Sequence, residues 1–446
     1  MKRSLVLSAL FAMGWGGVMC QTASYKLDEE GLNKKIAKSD AAIADVKKNA
    51  KPATWIDRGN LFVDVYNAPI KGLYVNQMEL EAELLFGKSA RQTRTIGKTT
   101  YELRQYPYFE AYMEKTDSKE ANRRVLFWEQ TKFVDREALE KSVAAFDKAY
   151  ELDMAKSGAK VKAGLMQVAE LYKQEGYNYF SLNKYAEASA SFGKAFDVQR
   201  NPAVGVVDTT SAYNAGQLAT YANEYERGAR YLKAVYDLGD YNNGDTYYFL
   251  YFCYFNLNKY AEAKTLLLEG LSKYPSKNEI VEGLLNVYIK TGEDPSEIIP
   301  LVQKAIDADP KNPVLWDGLG RVYDKLNDPG KASEAFVKVV ELLPDNYDAN
   351  FNLGLLRTKE GDVLNKDFAA TDFGTSQKEY EAALSNVQDH YQSAIAPLER
   401  AHELNPKEVT PVEMIVNILA RLRKRPGMQE KYDKYKLILD ELAPAQ

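Results

Sequence analysis

The chain has 446 residues, 45% of them hydrophobic, and its 58 Lys and Arg stand against 63 Asp and Glu for a formal charge of −5. That size and hydrophobic content suffice for a large core, whereas the mild acidity excludes the basic face a nucleic-acid binder needs. Two histidines and two cysteines leave little material for metal or nucleophile chemistry.

At the start, Lys2 and Arg3 precede an apolar run from Leu5 through Met13 to Met19, the pattern of a secretory signal peptide over residues 1–20. The run is too short and too interrupted by glycine to span a membrane. Cleavage before Gln21 removes two cations and gives a mature charge of about −7. The expectation is an exported, periplasmic protein. The alternative is a membrane-anchored lipoprotein carrying its lipid on Cys20, although Gly17, Val18 and Met19 match poorly the Leu-small-small sequence that precedes such cysteines. Cleavage leaves Cys253 alone, so no intramolecular disulfide can form, and Cys253 reads as a small buried hydrophobe.

Residues 21–159 form a less regular region. Lys34–Ala50 reads as a helix, Trp55, Gly59 and Phe62 lie on another, and Phe146 and Ala149 mark its partner within Asp135–Met154. Between them, at about 67–134, sits an insertion. Tyr106, Tyr108, Phe109 and Tyr112 on Tyr101–Met113, with Val125, Phe127, Trp128 and Phe133 on Arg124–Val134, predict two strands of a β-hairpin joined through the polar Thr116–Asn122.

From about Lys160 a repeat takes over. The string Leu-Asn-Lys-Tyr-Ala-Glu-Ala occurs at Leu182–Ala188 and again at Leu257–Ala263, and Pro275, Pro310 and Pro344 each close a helical segment. Their spacing of 35 and 34 residues fits two helices of about a dozen residues with two turns. The clearest unit runs from Pro313 to Asn346. Trp316, Leu319, Gly320 and Tyr323 lie on its first helix and Ala332 and Phe336 on its second, with Pro344 at the end. Gly320 and Ala332 let two antiparallel helices approach closely, and Trp316, Tyr323 and Phe336 fill the space beside them.

This set of residues at this spacing resembles the tetratricopeptide repeat (TPR) family. Further units carry Tyr172, Gly176, Tyr179, Ala188 and Phe192; Tyr213, Gly216, Gly228 and Tyr231; Tyr247, Tyr254, Ala263 and Leu267; and Leu284, Tyr288, Val302 and Ala305. The resemblance implies an all-α TPR α-solenoid, a right-handed superhelix of antiparallel helix pairs, to which the aromatic pattern above adds a small β-hairpin-containing insertion in the N-terminal third. It predicts about six repeats over 160–408. In the last of them Leu353 and Gly354 are parted from Leu398, Ala401 and Pro406 by an insertion at 360–387; capping helices follow over 409–446.

No His-Glu-x-x-His, Cys-x-x-Cys, phosphate-cradling glycine loop or nucleophile elbow occurs. His390 and His402 are predicted on one helix without a metal-ligand pattern. We therefore expect no enzymatic activity, no cofactor and no metal. Arg421, Arg423, Lys424 and Arg425 read as cations at a helix C-terminus.

In TPR proteins the first helices of successive repeats line a groove that binds peptides or extended segments of other proteins. The resemblance places Lys173, Tyr177, Tyr213, Gln217, Tyr248, Phe252, Asp317 and Arg321 on that groove, with Glu282, Asn286, Phe351 and Leu355. The family's clamp for chaperone C-termini needs Lys and Asn there, and only Lys173 and Asn286 match. The aromatic set passing to mixed charge suits a protein or peptide partner, in the manner of an envelope assembly or secretion scaffold. A carbohydrate- or peptidoglycan-binding solenoid using exposed rings is the alternative. Nucleic acid, a small molecule and a membrane span in the mature chain are not expected.

Overall fold

The computed structural model describes residues 26–115, 123–275 and 277–442; the expected signal peptide, Cys20 and the Thr116–Asn122 link lie outside them. Two compact units divide between Ala215 and Gly216.

The first unit contains α1 (Glu29–Ala44), α2 (Pro52–Asn67), α3 (Glu79–Phe86), β1 (Arg91–Ile96), β2 (Thr99–Gln105), β3 (Phe109–Glu114), β4 (Val125–Gln130), α4 (Ala138–Leu152), α5 (Met154–Ser181) and α6 (Tyr185–Gln199). Helix α2 pairs with α4 across the strands, and α5 pairs with α6. Trp55 on α2 donates its indole N–H to Asn49 O at 2.8 Å, the same six-residue reach that Trp316 makes to Pro310 O at 2.9 Å.

The strands form one antiparallel sheet in the order β1-β2-β3-β4, where the sequence predicted only two strands. The expected Tyr101–Met113 strand is in fact the end of β2, a tight turn at Pro107 closed by Tyr106 N–H to Phe109 O at 2.9 Å, and then β3. Strand β1, Arg-Gln-Thr-Arg-Thr-Ile, is largely exposed, so it carries none of the apolar alternation by which a strand is recognised. Tyr106, Phe109, Ala111, Met113, Val125 and Trp128 pack on Ile70 and Ala82; Leu103, Tyr112 and Phe127 form a second cluster. A buried ion group ties α3 to the sheet. Glu79 accepts from Arg104, and Arg123 lies 2.5 Å from Glu102.

Helix α7 (Thr209–Tyr221) contains the division. The second unit continues with α8 (Tyr225–Asp237), α9 (Asp245–Asn256), α10 (Tyr260–Lys273), α11 (Asn278–Thr291), α12 (Ile299–Ala308), α13 (Pro313–Lys325), α14 (Pro329–Leu342), α15 (Tyr347–Ala370), α16 (Gln377–Ser393), α17 (Ile395–Leu404), α18 (Thr410–Leu422) and α19 (Met428–Leu442). His390 thus ends α16 while His402 lies on α17, and the single helix predicted for them is broken. Pro397 has no N–H to give Ser393 O, which accepts from Arg357 instead at 2.9 Å. The stretch 360–387 lengthens α15 and α16 about a short connection.

One packing rule recurs in both units. A Cβ on Gly176, Gly216 or Gly320 would lie within 2.9 Å of Phe192, Leu232 or Phe336, each 16 residues downstream on the partner helix. Gly354 meets Leu398 in the same way at 2.5 Å, 28 residues later than the rule because α15 and α16 are extended.

The turns between paired helices recur too. Asn183, Asn223, Asn258 and Asn327 all have φ between 56° and 60°, and Gly292 stands in the same place at 73°. Asn tolerates this left-handed conformation better than other side-chain-bearing residues, and a helix C-terminus requires it. The residue after each closes a 6→1 bond, as Lys184 N–H does to Tyr179 O at 2.9 Å and Lys259 N–H to Tyr254 O at 2.8 Å. In the repeated Asn-x-Tyr, Tyr185, Tyr225 and Tyr260 each donate to the Asn amide oxygen, at 3.0, 2.9 and 2.6 Å.

Candidate partner-binding surface

Lys173 and Tyr177 stand one turn apart on α5. The Lys173 ammonium is held by Glu170 at 2.9 Å and Asp208 at 2.8 Å, so its charge is matched within the protein. Tyr177 is half-buried and meets Phe192 edge-to-face, ring centres 4.9 Å apart. Tyr213, on α7, is half-buried as well.

In the second unit Gln217 is half-buried. Tyr248 and Phe252 lie one turn apart on α9 with ring centres 6.3 Å apart; both are half-buried, and Phe252 also meets Tyr225. Burial first, then the carboxylates of Glu279 and Glu282, push the Tyr248 hydroxyl pKa up. On α13 Arg321 donates Nε to Asp317 at 2.7 Å and reaches Glu282 of α11 at 3.4 Å. Asn286 is exposed and hydrogen-bonded to Tyr251. The second unit therefore brings together a ring pair on α9 and a carboxylate–guanidinium group on α11 and α13. Lys173, already matched by two carboxylates, has no charge to spare for a carboxylate clamp.

Many tyrosines are committed to packing instead. Tyr236 and Tyr247 both donate to Glu269, Lys273 approaches it at 2.7 Å, and the rings of Tyr241 and Tyr274 lean on Tyr247. Lys273, then Tyr236, hold the Glu269 carboxyl at about 2, against an opposing effect of burial. Two cations of the basic cluster near the C-terminus are likewise paired, Arg421 with Asp362 at 2.6 Å and Arg425 with Asp389 at 2.7 Å.

Two cavities had no sequence signal. One of ≈ 740 Å³ opens beside Leu268 and Leu271 of α10 and Leu301 and Lys304 of α12. The other, of ≈ 440 Å³, lies in the first unit between α2, β4 and α5. Their walls come from residues far apart in sequence, which no local pattern reports. Among the described residues no group of three or more His, Cys, Asp or Glu is placed to hold a metal ion. No described helix is long and apolar enough to cross a membrane.

Paired antiparallel helices with a small residue facing a large one at fixed spacing define a helical-repeat protein. A model of the tetratricopeptide repeat family matches residues 254–313 and 318–364, and the chain carries tetratricopeptide repeats. Among solved structures it is similar to a TPR repeats protein from Bacteroides fragilis NCTC 9343, at 18% identity over 57% of this chain and 98% of that one, with a TM-score of 0.31. It is also similar to YrrB, described as a TPR protein with an unusual peptide-binding site, at 20% identity over 46% of this chain and 96% of that one, TM-score 0.29. A third is the C-terminal part of a TPR repeat-containing protein from Cytophaga hutchinsonii, at 13% identity over 63% and 96%, TM-score 0.41. No curated protein matches.

Proposed function

We propose that the protein is a non-enzymatic scaffold that holds an extended segment of a partner protein along the first helices of its repeats, in the periplasm. The observation that carries this reading is the run of half-buried rings on α9, Tyr248 and Phe252, followed by the Glu282, Asp317 and Arg321 group on α11 and α13. Aromatic anchors with a charged margin are the usual composition of a protein interface. The leader pattern at residues 1–20 supports export, and an envelope assembly or secretion role is the natural setting for such a scaffold.

The test is cross-linking of the tagged protein in its native envelope, followed by mass spectrometry of captured chains. A Tyr248→Ala/Phe252→Ala variant removes both anchors. Because both rings are half-buried, a Phe255→Ala control is needed. Phe255 is a ring of α9 that packs on Tyr251 and Tyr260, so its loss imposes a comparable packing defect elsewhere on the helix. A defined partner lost in the double variant and kept in the control supports the reading. Equal capture by all three chains, or capture of glycan alone, refutes it.

A further inference from the structure

Glu175, on α5, lines two cavities at once. One is the ≈ 440 Å³ cleft between the end of α2, the turn after it, Trp128 of β4 and the Glu170–Asn178 face of α5. The other, of ≈ 340 Å³, lies toward α4 and α6. The larger is within the size range of small-ligand sites, roughly 300–1,000 Å³.

Neighbouring carboxylates of this unit have cations of their own. Glu170 is matched by Lys173 at 2.9 Å and Glu140 by Lys194 at 2.5 Å. Glu175 has hydroxyls as its hydrogen-bond partners, and Lys194 acts on it from beyond ion-pair distance. Its Oε2 accepts from Ser191 Oγ at 2.8 Å, and its Oε1 has the Tyr66 hydroxyl at 3.5 Å. No Lys or Arg forms an ion pair with it among the described residues. A carboxyl so placed costs stability when ionised and alone, and burial accordingly raises its pKa. The walls beside it are aromatic, with Tyr66, Tyr74 and Trp128 lining the cleft, and rings favour a cation next to them. The amides of Gln174 and Asn178 line the same face, with Gln174 Nε2 donating to Asn178 Oδ1 at 3.2 Å.

We propose that this cleft binds an alkylammonium or guanidinium group, with the Glu175 carboxylate as its counter-charge. The occupant needs a slender cationic head that fits between the rings and offers N–H donors to Oε1. A free amine and a basic side chain of a bound protein share that chemistry. The inference does not depend on the α9 to α13 surface.

The titratable groups facing Glu175 are Tyr66 from α2, Glu140 from α4 and Lys194 from α6, with Tyr172 and Tyr179 on its own helix. Lys71 and Glu170 line the larger cleft, and Arg136, Glu137 and Glu187 line the smaller. Because other carboxylates line both clefts, a fall in affinity is assigned to Glu175 where it begins above the ordinary carboxylate range of about 4.

The experiment is isothermal titration of the full chain with N-acetyl-lysinamide, N-acetyl-argininamide and n-butylammonium, and with N-acetyl-citrullinamide as the neutral isostere. Saturable binding of a cationic probe, at least tenfold weaker for the isostere and in Glu175→Gln, is expected. Binding of n-butylammonium as tight as that of the residue amides would assign a free amine; preference for the amides would assign a side chain. Wild-type affinity should also fall as pH is lowered through the raised carboxyl pKa, by up to tenfold per unit, which tests the assignment even if Glu175→Gln fails to fold. Absence of saturable binding by every cationic probe, equal binding by the isostere, or an affinity flat from pH 4 to 8 would each overturn the proposal.

Discussion

Helix α5 contains two glycines that should respond to the same substitution with opposite signs. A Cβ added to Gly164 would stand 2.2 Å from Phe146 Cζ and 2.6 Å from both Cε atoms, where carbon atoms prefer about 3.5–4.0 Å. The ring cannot retreat: it is fully buried, and a Cβ on Gly59 would meet its other side at 2.7 Å. Relief therefore requires α4 and α5 to part. Overpacking of this kind costs about 1–3 kcal/mol. With Phe146 trapped the upper end applies, and the better helix propensity of Ala returns about 1 kcal/mol, so Gly164→Ala should destabilise by about 2 kcal/mol. At Gly158 the added Cβ would meet only Tyr150 at 3.9 Å, an ordinary contact, and Gly158→Ala should stabilise by about 0.5–1 kcal/mol. Because repeat proteins unfold in parts, hydrogen exchange of α5 amides should accompany urea unfolding followed by circular dichroism. Phe146→Leu should recover part of the loss in the Gly164→Ala background. If Gly164→Ala proves as stable as the parent, or both substitutions shift stability in the same direction, the close approach of α2, α4 and α5 at Phe146 is wrong.

Glu79→Ala should cost about 3–5 kcal/mol, because it takes from the fully buried Arg104 its nearest counter-charge and leaves only Glu102 at 3.6 Å; adding Arg104→Met should recover much of it in denaturant titrations. Glu269 has its carboxyl held at about 2 against an ordinary value of 4.5. A depressed pKa contributes stability above the ordinary value that is lost as pH falls toward 2, so the melting-temperature gap between wild type and Glu269→Gln should shrink from pH 6 to pH 3, and a constant gap would contradict the assignment. Cys253 is buried against Gly228 and burial pushes its thiol up to about 12. Site-resolved iodoacetamide labelling of Cys253 should therefore occur at the rate of local opening and accelerate in urea; prompt labelling in buffer would show an accessible thiol.

Much of the repeat architecture is written locally. A small residue facing a large one 16 positions on, as in Gly176 with Phe192 and Gly320 with Phe336, needs only the geometry of one helix pair, and the Leu-Asn-Lys-Tyr string encodes its own turn through Asn183 and Asn258. The aromatic strands β3 and β4 were legible for a similar reason, since their side chains announce burial. Strand β1 was not, because a polar, exposed strand is specified by hydrogen bonds to β2 and by nothing in its own pattern. The break between α16 and α17 depended on one proline within an otherwise continuous helical sequence.

For the candidate surface, sequence determined which helices and registers Tyr177, Tyr248, Phe252 and Arg321 occupy. Tertiary structure decided what each can offer. Lys173 is neutralised by Asp208, 35 residues away, while Tyr247, next to Tyr248, is buried beside Glu269. Glu175 reads in sequence as one more acidic residue on an amphipathic helix; only the packing of α2, α4, β4 and α6 around it leaves it facing two cavities with hydroxyls as its hydrogen-bond partners. Periodicity fixes a residue's direction from its own helix, whereas its solvent and counter-charges come from chain segments that no local pattern can bring into view.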